Sequence, residues 1–323
     1  MLTVALFGLA ALRPAVLSRA SRPTMMATIE SAPPEGFVWA TFEDAPAAAA
    51  APSTSGPVAA SKVVVQADAD AVGAALMARV EAAAAKAIAE RGQFALAIPG
   101  GSVLNMLAGS KPEWASKCTL AYVNHKCVAM DDASLATHAK ATAKFLKDWD
   151  GVNAIIMDGT DDAVAEAKAY EAKMQACSSA VLPRDASGMP VFDMMLIGVG
   201  DDGHVGSLYP GRGEVLDTSG AWVLPVEMKV PGSITLSLPV MAGAKEVVIA
   251  ACGVSEKYPM GKSEAMARGI EGDETPSTFP ATGLREVATW ILDQPAASAL
   301  STDYAESFEL MMSRGDCNPA GVA

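Results

Sequence analysis

Aromatic side chains are scarce in this chain, at 6 % of its 323 residues, so a core must be packed mainly from Ala, Val, Leu and Met. Half the residues are hydrophobic (51 %), enough for a sizeable core. Cysteine is sparse and unpatterned. Cys118, Cys127, Cys177, Cys252 and Cys317 are odd in number and contain no C-x-x-C, which argues against a disulfide framework and against a zinc site. Buried free thiols in a reducing compartment are the expectation. Positive charge is short: 24 Lys and Arg face 37 Asp and Glu, giving a net charge of −13. That balance argues against a general affinity for nucleic acid, which needs a basic face. It leaves room for a small anionic ligand, which a few local cations and backbone N–H groups can hold.

Long apolar runs are missing too. The longest near the N-terminus covers about eleven residues, too short to span a membrane. Arg13, Arg19 and Arg22 follow it, and no acid precedes Glu30. Basic, acid-poor and bearing Ser and Ala, residues 1–30 are expected to be an organelle-targeting segment, a plastid address before a mitochondrial one. A secretory signal or a cytoplasmic protein are the alternatives. Once that segment is removed, no membrane association is expected. Residues 31–61 are dominated by Pro, Ala, Ser and Gly and read as a linker. The folded domain is expected over 62–305, with a tail at 306–323. Monomeric and homodimeric assembly fit the sequence equally well.

From Lys62 onward, helical and strand patterns alternate. "DADAVGAALMARVEAAAAKAIAERG" has apolar residues at helical spacing, an Asp at its start and Gly92 where a C-terminal cap belongs. "SLATHAKATAKFLKDW" and "DDAVAEAKAYEAKMQA" are further helices. "QFALAI", "CTLAYVN", "NAIIMDG", "VFDMMLIGVG", "SITLSLPV", "EVVIAACG" and "ATWILD" are strands. The near-continuous apolar character of several of them suits a parallel sheet covered on both faces. A single doubly wound, mostly parallel α/β sheet follows, and ligands in such sheets bind beyond the carboxyl ends of the strands.

Four segments there can carry chemistry. "LIGVGDDGHVGSLYPG" contains G-x-G-x-x-G at Gly198, Gly200 and Gly203, but it is a poor dinucleotide loop. Asp201 and Asp202 would oppose a pyrophosphate, Pro210 leaves little room for the required helix, and no strand ending in an acid follows at the right distance. Either this is a glycine-rich turn with an incidental histidine, or Asp202 and His204 form a carboxylate–imidazole pair able to act as a general base. "AIPGGSVLNML" places Gly100, Gly101 and Ser102 after a strand. It is either an ordinary turn with Ser102 as helix cap or a phosphate loop. "YVNHKCVAMDDAS" clusters His125, Lys126, Asp131 and Asp132 in a solvated edge or a ligand-facing loop. "AACGVSEKYPMGK" carries Lys257, either a solvated lysine or a cation reaching back to an anion.

Together these segments resemble the 6-phosphogluconolactonases, within the superfamily that includes glucosamine-6-phosphate deaminases. "FDMMLIGVGDDGHVGSLYPG" resembles their Gly-x-Gly-x-Asp-Gly-His core followed by Ser-Leu-Phe/Tyr-Pro, and "LAIPGGS" their phosphate loop. "SITLSLPV", "ACGVSEK" and "TWILDQPAASAL" resemble their Arg-Ile-Thr-Leu-Thr-Leu-Pro, Gly-x-x-x-Lys and Trp-x-x-Asp-x-x-Ala-Ala segments, in the same order. The resemblance implies hydrolysis of a phosphosugar lactone without metal or other cofactor. His204 would be the base and Asp202 its orienting partner. Gly200 and Gly203 would let the backbone approach the sugar. Gly100, Gly101, Ser102, Lys126 and Lys257 would hold the phosphate. The chain departs from the pattern at Asn124-His125-Lys126, which stands for Asp-Glu-Arg, at Leu135 for Asn, at Val103-Leu104 for Thr-Pro, and at Ser233 for Arg. A phosphate clamp thinned of arginines leaves two other readings: a non-catalytic phosphosugar binder, and an amino-sugar-phosphate isomerase or deaminase.

Overall fold

A computed structural model describes residues 56–253, 262–301 and 304. The expected targeting segment, most of the linker, all of the tail (including Cys317) and Lys257 lie outside the described residues. In chain order the elements are β1 (Val63–Gln66), α1 (Ala69–Arg91), β2 (Phe94–Ile98), α2 (Val103–Met106), β3 (Cys118–Tyr122), β4 (Asn124–Lys126), α3 (Thr137–Lys144), β5 (Asn153–Ala154), α4 (Ala163–Ala176), β6 (Met194–Ile197), β7 (Val223–Val226), β8 (Ser233–Leu236), α5 (Leu238–Ala242), β9 (Val247–Ala251), α6 (Ser263–Ile270), β10 (Ala288–Asp293) and α7 (Gln294–Ala297).

Seven strands form one sheet in the order β1-β10-β9-β6-β2-β3-β5, every pair parallel. All residues of β2, β3, β6 and β9 are buried, as the uninterrupted apolar runs required. The sheet reverses between β2 and β6. From β2 the chain winds outward through β3 to β5, and from β6 it winds the other way through β9 and β10. Loops leaving two adjacent strands in opposite directions open a crevice at their carboxyl ends, the preferred ligand position in this architecture.

Helix signals in the sequence act locally as expected. The Asp68 carboxylate accepts the Ala71 N–H at 2.8 Å and Gly92 ends α1 in the left-handed conformation, φ 78°. The end of α1 is tied to the sheet by Arg91, whose guanidinium pairs with the buried Asp193 just before β6. Ser102 departs from expectation: it makes no capping hydrogen bond, and α2 is a single turn of four residues. The helix expected to run to Trp149 stops at Lys144 and continues as a 3-10 turn at Leu146–Asp148. Four aromatics cluster there. Phe94, Trp114, Trp149 and Phe145 meet with ring centroids 5.1–5.2 Å apart.

"SITLSLPV" does not join the main sheet. Its strand, β8, lies between β4 and β7 in a separate three-stranded antiparallel sheet. Only Val123 separates β3 from β4, so the chain passes directly from the parallel sheet into the small one. The register sets Asn124 opposite Thr235, and Lys126 opposite Ser233. Glu171 protects the outer edge by accepting the Trp222 and Val223 N–H groups at 2.9 and 3.1 Å. No helix among the described residues is long and apolar enough to cross a membrane.

Candidate active site

A cleft of about 1120 Å³ opens at the reversal between β2 and β6. Gly100, Gly101 and Ser102 enter it from the end of β2, and Gly198, Val199, Gly200 and His204 from the end of β6. Asn124 and Lys126 face it from β4. In a strand, neighbours point to opposite sides, so the intervening His125 turns inward and is buried. Six of the nine residues expected at the site therefore line one cleft: Gly100, Gly101, Ser102, Lys126, Gly200 and His204. Asp202 and Gly203 are not part of the lining, and Lys257 falls outside the described residues.

The loop from Val199 to Val205 is closed by an antiparallel bridge between those two valines. Within it, Gly200 donates its N–H to the His204 carbonyl at 2.9 Å. Asp202 Oδ1 accepts twice from His204, from its backbone N–H at 3.1 Å and from ring Nδ1 at 2.6 Å. Burial raises the Asp202 pKa, but the His204 backbone N–H and the charge and hydrogen bond of its ring outweigh burial and hold the carboxyl below its ordinary range. An ionised carboxylate only accepts, so Nδ1 must carry the proton and Nε2 is left as the basic nitrogen. The His204 ring also lies 4.8 Å from that of Tyr209, another cleft residue.

Both glycines of this loop are required by close neighbours, Gly200 by the histidine and Gly203 by an aromatic ring. A β-carbon on Gly200 would fall 2.1 Å from His204 Nδ1 and 2.6 Å from Asp202 Oδ1. Gly203 has φ +84°, and its β-carbon would strike the Phe279 ring at 2.3 Å. No long helix follows the G-x-G-x-x-G; the next element is the 3-10 turn at Gly213–Leu216, so the loop lacks what a dinucleotide site needs.

Opposite the histidine loop the cleft is cationic. Lys126 is half-buried and its Nζ lies 3.4 Å from the Pro231 carbonyl. Burial, then the nearby Lys229, push its pKa down. Thr137 and Lys140, one turn apart on α3, reach the same wall. Lys262, at the start of α6, lines the cleft and donates to the Val199 carbonyl at 2.5 Å. Sequence reading missed Lys140, which is one of several lysines along a helix, and Lys262, which lies five residues beyond the lysine chosen from the motif. Asn124 bridges the two loops: its amide nitrogen donates to Ser207 Oγ at 3.2 Å, and its oxygen lies 3.5 Å from the Gly100 N–H. Asp131 and Asp132 do not reach the cleft. Among the described residues, no three His, Cys, Asp or Glu cluster in a way that would hold a metal.

The other histidines hold structure. His125 Nδ1 lies 2.7 Å from the Lys126 carbonyl and its Nε2 accepts the His138 N–H at 3.1 Å. His138 Nδ1 lies 2.7 Å from the Tyr122 hydroxyl. Burial lowers the pKa of both. Cys252 stands in the cleft wall, where burial raises its thiol pKa to about 11, far from the range of a reactive thiolate.

Residues 67–291 match the protein family of glucosamine-6-phosphate isomerases/6-phosphogluconolactonase. The chain belongs to this family. It is 29 % identical over 241 residues to the probable 6-phosphogluconolactonase 2 of Oryza sativa subsp. indica, covering 69 % of this chain and 84 % of the rice protein. It is 30 % identical over 260 residues to the 6-phosphogluconolactonase of Mycobacterium bovis, covering 74 % of this chain and 98 % of that relative. Among solved structures, the 6-phosphogluconolactonase of Leishmania guyanensis superposes with a TM-score of 0.62 at 24 % identity, over 74 % of this chain and 98 % of that one. At that identity the superposition shows a shared fold.

Proposed function

We propose that this protein hydrolyses 6-phospho-D-glucono-1,5-lactone to 6-phosphogluconate, the lactone-opening step of the oxidative pentose phosphate pathway, with no cofactor. The observation that carries this reading is the Asp202–His204 pair, whose imidazole lines one cleft with Gly100, Gly101, Ser102 and Lys126 while Asp202 holds it from outside the lining. His204 Nε2 takes a proton from water as the oxygen attacks the lactone carbonyl. The imidazolium, stabilised by Asp202, then gives that proton to the ring oxygen as the C–O bond breaks. The phosphate lies across the cleft at Gly100–Ser102, against Lys126, with Lys262 as the cation nearest the histidine loop. Lys257 stays a candidate for the same role.

The loss of the arginines favours a second reading, a phosphosugar binder without turnover. An isomerase or deaminase is less well served. Proton transfer between C1 and C2 of an amino sugar needs a carboxylate, and Asn124 presents an amide that does not take up protons. Decay of freshly made phospholactone, followed by acid release, separates these. Wild-type protein should accelerate it, and His204→Asn should lower the rate by about 10²–10⁴. Wild type and variant both running at the buffer rate would end the lactonase reading.

A further inference from the structure

Resting on that reading, we propose that the hairpin between β7 and β8 supplies the second cation of the phosphate clamp: Lys229, carried on the face of Tyr209, acts with Lys126 to grip the dianionic phosphate of the substrate. Four observations converge. Lys229 Nζ stands 4.6 Å from the centroid of the Tyr209 ring, and Tyr209 lines the cleft against His204. Lys126 Nζ reaches the same hairpin, lying 3.4 Å from the carbonyl of Pro231, two positions beyond Lys229. Neither ammonium forms an ion pair with a carboxylate among the described residues, although the chain carries 37 acids and Glu227 stands two residues from Lys229. Finally, Ser233, directly across the strand pair from Lys126, leaves that position without a charge of its own.

Two neighbouring like charges repel each other, and here burial foremost, then Lys229, depresses the pKa of Lys126. Repulsion of this kind is relieved when an anion bridges the pair. A lysine held by an aromatic face is placed without a carboxylate, so its three N–H donors remain directed by the ligand rather than by a salt bridge. The hairpin tip is solvent-facing: Met228, Lys229 and Val230 are all exposed, Val230 fully. Lys229 is outside the cleft lining, and its ammonium is set beside the cleft by the ring of Tyr209. The clamp thereby sets selectivity for phosphorylated over unphosphorylated lactone.

The test compares Lys229→Met and Lys229→Arg with wild type in two measurements. Calorimetry with 6-phosphogluconate, and with gluconate as the uncharged-end control, reads binding without turnover. The Met variant should bind 6-phosphogluconate about tenfold or more weakly, and the Arg variant within about threefold of wild type. Hydrolysis of phospholactone and of plain gluconolactone reads selectivity, and the ratio of kcat/KM for the two should fall about tenfold in the Met variant, through KM. Equal 6-phosphogluconate binding by wild type and Lys229→Met overturns the clamp, whatever the activity. Weaker binding by the Met variant in a wild type that turns over no lactone upholds the clamp and removes the lactonase reading. A wild type that binds no 6-phosphogluconate removes both.

Discussion

The ring of His204 occupies the volume in which Gly200 would carry a β-carbon, with Nδ1 only 2.1 Å from that position. The two residues are joined as well by the Gly200 N–H to His204 carbonyl bond of 2.9 Å. A side chain at 200 must therefore displace the imidazole, and displacing it breaks the 2.6 Å contact with Asp202 that fixes its tautomer. Gly200→Ala should lower kcat by about two orders of magnitude or more, because a misplacement of about 1 Å costs that much in a positioned catalytic group. Val199 and Val205 anchor the loop in the core while its tip at Asp201 and Asp202 is exposed, so the rearrangement can be taken up at the tip and the thermal midpoint should move little. Full activity in a folded Gly200→Ala protein would show that the imidazole position matters less than the geometry requires.

Much of this was legible in the sequence for identifiable physical reasons. The buried strands β2, β3, β6 and β9 are uniformly apolar because both faces of a parallel sheet are covered, and that pattern is visible without coordinates. Asp68 and Gly92 mark the ends of α1 because capping is a local interaction. The Asp-Gly-His spacing was legible because Asp202 and His204 lie two residues apart. What was not legible depends on distant pairing. Nothing local places Lys126 opposite Ser233, or sends "SITL" into a second sheet, since β4 and β8 are brought together by the fold. Pro225 hid β7, whose edge position tolerates a proline. The packing demand on the glycines was hidden in part for the same reason: their β-carbon positions are filled by His204 and Phe279, and the Phe279 neighbour lies far along the chain.

Asp193 joins three parts of the fold that position the two cleft loops. Its carboxylate is almost fully buried and accepts from Arg91 Nη1 at 2.7 Å and from the Ala95 N–H at 2.7 Å, with Lys245 Nζ at 3.2 Å. Burial raises its pKa, and the bonds from Arg91 and Ala95 more than reverse that, holding it below the ordinary range. Asp193→Asn removes the negative charge but leaves the Arg91 guanidinium in place. Breaking one side of a buried pair costs about 3–5 kcal/mol, and urea unfolding should show a loss of that size. A loss below about 1 kcal/mol would mean that Arg91 escapes to solvent without penalty. Lactonase activity of the remaining folded protein, measured far below the unfolding midpoint, should stay near that of wild type.

His125 links stability to pH beside the cationic wall. Its Nε2 accepts the His138 N–H and its Nδ1 meets the Lys126 carbonyl, so the ring is held neutral with the proton on Nδ1. Burial lowers its pKa foremost, opposed by the bond to the Lys126 carbonyl and by Glu166, and assisted by His138 and Lys140. His138 is lowered by burial as well. An unfolded histidine titrates near 6.5, so between that value and the lower folded pKa the unfolded chain binds more protons, and stability rises with pH. The contribution is complete above about pH 6.5 and is lost as pH falls through the folded pKa. That window lies above the range in which Asp202 and Asp193, both held low, take up protons. The urea midpoint should therefore fall between pH 7.5 and 5.5. In His125→Gln the amide can still donate to the Lys126 carbonyl and accept from His138, so the fold is kept while the titration is removed. The midpoint of that variant should depend less steeply on pH over the same interval. An identical slope in wild type and His125→Gln would place the acid sensitivity elsewhere, at His138 or outside this ring cluster.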